Sequence, residues 1–197
     1  SFEEKDFHDF HMYTLDQKVS FANNQTKQIQ LFETKTISAE SLYEYTSFAD
    51  GVRSIITFEN TAAKGIGVPL PKGIIKVYKE DTDKNLEFIG EDRINHTGRN
   101  ETVRVTTGKA FDLVGQSVVK DQKTISNRIT ERTIEIRLRN NSKEKKTIEV
   151  IHQLNPSSRI LSPEPKHIRD HENKAKFVFE VAPDKEHVFS FVERTEY

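Results

Sequence analysis

KGIGVPLPKGIIKVYKEDTDKNLEFIGEDRINHTGRNETVRVTTGKAFDLVG, residues Lys64 to Gly115, is the stretch whose reading decides the fold class. It holds seven of the chain's eight glycines and two of its six prolines, placed between short runs of strand length. Val68-Pro69-Leu70-Pro71 cannot be helical, because each proline lacks an N–H and drives the residue before it toward extended geometry. Ile74 to Lys79 is a β-branched and aromatic run. The polar turn Asp81 to Asn85 returns the chain into Leu86-Glu87-Phe88-Ile89, and Thr97 to Asn100 does the same before Thr102 to Thr106. The expectation is a β-meander.

Outward from this stretch, the best internal signal is a repeat. Ser54 to Asn60 (SIITFEN) and Ile134 to Asn140 (IEIRLRN) lie 80 residues apart. Each places two apolar side chains at i and i+2, Ile56 with Phe58 and Ile136 with Leu138. Each ends in an asparagine whose side chain can start a turn. Downstream, Ile148, Val150 and Leu154 share one parity with His152 between them, Phe177, Phe179 and Val181 share another, and Val188 to Val192 reads as a central strand. Upstream, Phe10 to Leu15 is strand-like, Val19, Phe21, Ile29 and Leu31 alternate with polar neighbours, and Ser38 to Tyr45 has room for one or two helical turns. The expected fold is all-β, two tandem immunoglobulin-like β-sandwich units with under about one-tenth helix. The first unit spans 1–117, the second 118–197.

Several motifs resemble a known family. GVPLPKGIIKVYKED, FIGEDRINHTGRNE and GKAFDLVG, with His11 to Phe32 upstream, resemble a bacterial conserved domain of unknown function that forms the C-terminal region of mucoidy-inhibitor-A-like proteins. The matching positions are Pro69, Leu70, Pro71, Gly73, Val77, Tyr78, Gly90, Glu91, Asp92, His96, Thr97, Ala110, Phe111 and Asp112. The resemblance implies kin and further segments upstream, and brings no catalytic residue with it.

Composition excludes several classes. Lys and Arg number 30 against 31 Asp and Glu, with no long block of one sign, so no nucleic-acid partner is expected. There is no cysteine, hence no thiol nucleophile and no iron–sulfur centre. No apolar run approaches the ~20 residues of a membrane helix, so no membrane insertion by this segment is expected. Ser1 to Asp6 lacks the basic and apolar regions of a leader; a periplasmic or secreted location is the weak expectation.

Candidate chemistry is sparse. Glu91, Asp92, His96 and Asp112 are the alternative catalytic or sugar-binding set, since two carboxylates and an imidazole can do acid–base work or hold a cation. Equally, they satisfy turn amides. His167, Asp170 and His171 are weak metal candidates: His-x-x-x-His shares a helix face, but the segment follows Pro-x-Pro, where no helix is expected. Phe7-His8 and Phe10-His11 lack a third ligand. No cofactor is expected. The function expected is a non-catalytic module, a protein-interaction or scaffold domain of an envelope protein, with a hydrolase or carbohydrate-binding domain as the alternative.

Overall fold

The computed structural model describes residues 2–7, 10–15, 18–27, 34–161, 166–169 and 172–197. The chain is all-β, and among the described residues the one helical element is a single 3-10 turn at Ala62–Lys64. In order the strands are β1 (Phe2–Phe7), β2 (Phe10–Leu15), β3 (Glu40–Thr46), β4 (Arg53–Glu59), β5 (Gly73–Glu80), β6 (Leu86–Ile94), β7 (Thr102–Lys109), β8 (Leu113–Ser126), β9 (Ile129–Asn140), β10 (Lys146–Gln153), β11 (Ser158–Leu161), β12 (Ile168–Arg169), β13 (Lys174–Val181) and β14 (Lys185–Glu196). Among the described residues, 18–27 form no strand. From Glu40 onward the segment 38–45 is strand β3 rather than a helical turn: Leu42, Tyr43 and Tyr45 are strand formers, and β3 finds two strand partners.

The two compact units are not consecutive halves. One comprises residues 1–39, 58–73 and 94–103, the other 40–57, 74–93 and 104–197, and β8 runs through residue 117 without a break. The smaller unit holds the antiparallel β1–β2 hairpin, the 3-10 turn, and a bridge between Leu70 and Thr97. The Pro-Leu-Pro segment is thus pinned by its leucine, which is buried.

The larger unit is a sandwich. One sheet runs β12-β13-β10-β3-β4-β7 and the facing sheet β11-β14-β9-β8. Between them lies one core: Ile134, Ile136 and Leu138 from β9 and Phe189 and Phe191 from β14 meet Ile148 and Val150 from β10 and Phe177 and Val181 from β13. Alternation in each strand makes this possible, because residues at i and i+2 share a face. β14 lies between β9 and β11, the central position its double-sided apolar run implies.

A close approach fixes the first strands of the core. A Cβ at Gly115 would lie 2.2 Å from the Tyr45 ring, so only glycine admits that ring here. The Tyr45 hydroxyl then hydrogen-bonds with Ser117 Oγ at 2.8 Å, two residues along β8 on the same face.

β3 also pairs in parallel with β10, which sets Glu44 opposite Glu149. Like charges placed opposite one another repel. Here Arg104 lies between them, 3.1 Å from Glu44 and 3.4 Å from Glu149, with Arg53 on Glu44 and Lys176 on Glu149. Three cations thus offset two carboxylates on that outer face.

The repeated asparagines are equivalent in chemistry. Both are fully buried. Asn60 Nδ2 donates to the carbonyls of Val68 and Gly98 (2.7 and 2.8 Å), and its Oδ1 accepts from Gly67 N–H (3.1 Å). Asn140 Nδ2 donates to those of Glu144 and Val181 (2.7 and 2.9 Å), and its Oδ1 accepts from Ser142 N–H (2.9 Å) and hydroxyl (2.7 Å). The burial of the preceding strands differs. In β9, Ile136 and Leu138 are both buried as expected, but in β4 the buried side chains are Ile55 and Phe58. Ile56, opposite Ser41 in register, shares the face of Tyr43 and Tyr45 but is only half-buried.

Two stability measurements follow. Leu138→Ala is expected to cost about 2–5 kcal/mol and Arg139→Ala under about 0.5, read by chemical denaturation. Asn140→Asp keeps the shape but turns two donors into acceptors facing carbonyls, so it is expected to cost roughly 2–4 kcal/mol. An unchanged midpoint for Asn140→Asp would show that the side chain does not hold the turn.

Candidate functional site: an open groove with a lysine rim

In the larger unit an open groove of about 620 Å³ is walled by four elements. Its sheet wall is Ser41 and Tyr43 of β3 with Ser54 and Ile56 of β4, on the same face of the sheet as the core residue Tyr45. The second wall is the β5–β6 hairpin, through Lys79 and Ile89. The third is the turn from β7 to β8, Gly108 to Leu113, and the fourth is the β9–β10 turn with Ser142, Lys143, Glu144 and Lys146.

Each wall has an identifiable support. Gly90 lets β6 pass against β7, since a Cβ there would lie 2.4 Å from the Thr107 carbonyl oxygen. Two residues on, Asp92 Oδ2 accepts from Thr106 N–H at 2.8 Å while Oδ1 accepts from Arg93 N–H at 2.8 Å. The β9–β10 turn hangs on the Asn140 side chain, and Asn141 N–H donates to the Asp112 carbonyl at 2.8 Å, joining it to the β7–β8 turn.

At the tip of that turn Phe111 is 97% exposed. An apolar ring so placed forgoes the roughly 2–3 kcal/mol that burial would supply. Four lysines surround the groove. Lys109 pairs with Asp50 at 2.5 Å, and Lys146 pairs with Glu144 at 2.7 Å while standing over the Tyr43 ring. Those hydrogen bonds hold the Glu144 and Asp50 carboxyls below, and Lys146 above, their ordinary ranges. Among the described residues Lys79 and Lys143 form no ion pair within 4 Å, although Lys79 lies near enough to Glu144 to help hold its carboxyl down.

The candidate catalytic residues have separate environments. Glu91 lies 4.0 Å from Lys76. Asp92 serves backbone amides, one next in sequence and one across on β7, rather than the two or three residues of a following turn. Asp112 stands in the groove wall and works through its carbonyl; among the described residues its carboxylate has no hydrogen bond or ion pair. His96 belongs to the smaller unit, where Nδ1 accepts from Lys72 N–H at 3.4 Å. No two of the four share a hydrogen bond or an ion pair. His167 packs its ring on Phe177 at 5.5 Å, while Asp170, His171 and His8 lie outside the described residues. Among the described residues no group of three or more His, Asp or Glu is placed to hold a metal ion, and no helix is long and apolar enough to cross a membrane.

Sequence reasoning missed a second polar constellation. Glu193 is 1% exposed on β14, with Arg132 Nη2 2.6 Å and His152 Nε2 3.6 Å from its Oε2. Burial pushes the Glu193 carboxyl up, but the His152 imidazole and the Arg132 guanidinium outweigh it and hold the group down at about 2. The signal was present in the alternation: Phe189, Phe191, Glu193 and Thr195 are one parity, so the carboxylate continues the core face of its strand.

Two outcomes check this geometry. Asp92→Asn is expected to lower stability by roughly 1–3 kcal/mol, as a charge-assisted acceptor for two amides is weakened. Asp112→Asn is expected to melt like the parent. For Glu193, the folded value lies below the ordinary 4.5, so its stabilisation is full above pH 4.5 and is lost as pH falls toward 2. Glu193→Gln is expected to lack that part of the acid loss; an identical pH profile would contradict the ionised pair. No protein-family model, no curated protein and no solved structure matches the chain.

Proposed function

We propose that this chain is a non-catalytic β-sandwich module that docks an acidic protein segment in the lysine-rimmed groove, an interaction or scaffold domain of a bacterial envelope protein. The observation that carries the reading is Phe111, 97% exposed on a turn held from behind by the Asn141 N–H on the Asp112 carbonyl. Large exposed apolar side chains gather on the same unit: Ile74, Tyr78, Leu86 and Phe88 on the β5–β6 hairpin and Ile89 in the groove. Such surface marks partner contact more often than catalysis.

Charge selects the kind of partner. The groove wall carries Lys79, Lys109, Lys143 and Lys146 against Asp112 and Glu144, and among the described residues Lys79 and Lys143 have no ion-pair partner within 4 Å. A peptide with one apolar anchor flanked by Asp or Glu complements it, the anchor packing on Phe111 and Ile56. Catalysis finds less support, since Glu91, Asp92, His96 and Asp112 serve separate structural contacts. The repeated asparagine-ended strand supports an immunoglobulin-like reading of the architecture, and the resemblance supports the envelope setting.

Selection from a random displayed-peptide library tests the proposal. Peptides with an aromatic or aliphatic residue flanked by acids are expected to be enriched, and to lose roughly tenfold in affinity against Phe111→Ala or the Lys79→Glu, Lys143→Glu pair. No enrichment, or enrichment indifferent to those substitutions, would overturn it.

A further inference from the structure

At one end of the same sandwich the inner face of the β8–β9–β14 sheet changes character. Ile134 pairs with Phe191, but the next inward pair is Arg132 with Glu193 and the next Thr130 with Thr195. Gln122 continues the first of these rows on β8, as the partner of Arg132. The result is a small array of amide, guanidinium, carboxylate and hydroxyl groups on three adjacent strands. With strands about 4.8 Å apart and inward residues about 7 Å apart along each strand, the array has the scale of one sugar ring. Over it opens a recess of about 240 Å³, completed by Asn155 and Tyr197.

The recess is built on strands, and its floor is fixed. Glu193 is fully buried and tied to Arg132, and Thr195 is buried with its hydroxyl 2.8 Å from Ser158 Oγ. Among the described residues the side chains of Gln122, Thr130 and Asn155, by contrast, have no hydrogen-bond partner. Two carboxamides and a hydroxyl are therefore left to a ligand, each able to donate and accept. Charge in the lining is balanced, since the Arg132 cation is met by the Glu193 carboxylate beneath it. Neither an anion nor a cation finds an unneutralised partner there.

We propose that this recess binds a single ring of a neutral saccharide, through hydrogen bonds from Gln122, Thr130 and Asn155 to its hydroxyls and packing of its C–H face on Tyr197. The site is independent of the groove and of the four carboxylate and histidine candidates. Because the three polar side chains have no internal partner, removing them leaves the fold intact.

Titration of the full chain with glucose, galactose and N-acetylglucosamine, followed by amide chemical shifts, tests this, with inorganic phosphate and acetate as charged probes. At least one sugar is expected to give saturable shifts confined to the Gln122, Thr130 and Thr195 end of β8, β9 and β14. Gln122→Ala and Asn155→Ala are each expected to weaken it roughly fivefold to tenfold while melting like the parent. Absence of saturable shifts from all three sugars would overturn the proposal. So would binding unchanged by both substitutions, or phosphate or acetate binding there more tightly than any sugar.

Discussion

The parallel pairing of β3 with β10 is the constraint on which the larger unit depends. It joins a strand from residues 40–46 to one from residues 146–153, so the C-terminal strands complete their sheet only with a strand contributed from far upstream. Loop closure over that separation is an entropic cost that local pairing does not carry. The pairing also sets two glutamates opposite one another, and it stands because Arg104, Arg53 and Lys176 neutralise them from β7, β4 and β13. On the inner face the same strand carries Tyr45 against Gly115, where any side chain on β8 would displace the ring. One strand is therefore tied by charge on one side and by shape on the other.

From that frame the two candidate binding surfaces follow. β3 and β4 present Tyr43 and Ile56 to the groove from the sheet face that carries Tyr45, while the Asn140 side chain and the Asp112 carbonyl hold the turns that carry Lys143 and Phe111. On the facing sheet, strict alternation carries an apolar inner face into a polar one without a change of register, and the recess lies where that change occurs. In neither place is a mobile element needed to assemble the site: the groups sit on strands or on turns tied to strands.

Much of this was legible in the sequence because it is local. The glycine and proline punctuation gave the strands from Ile74 onward, and the asparagine ends of two similar strands gave two side chains with the same hydrogen-bonding role. What was illegible is non-local or irregular. Period-two reasoning placed Ile56 and Phe58 on one face, and Ile56 does lie on the Tyr45 face, but it is only half-buried, while Ile55 on the opposite face is buried. Ser38 to Tyr45 has little periodicity of its own and becomes a strand because β4 and β10 flank it. Asp92 was read as a turn acceptor, and only the close passage at Gly90 brings Thr106 N–H to it. Arg132 and Glu193 look like ordinary surface charges until the register sets them side by side. The groove draws lysines from β5, β7, the β9–β10 turn and β10, separated by tens of residues.

Amide hydrogen exchange on the full chain tests the central claim most directly. If β3 is an integral strand of the sandwich, the hydrogen-bonded amides of Leu42 to Thr46 exchange with the same free energy as those of Ile134 to Leu138 in β9. Exchange of the β3 amides through a separate, much lower-energy opening, with β9 and β10 still protected, would show that the C-terminal strands stand without β3 and would contradict the account.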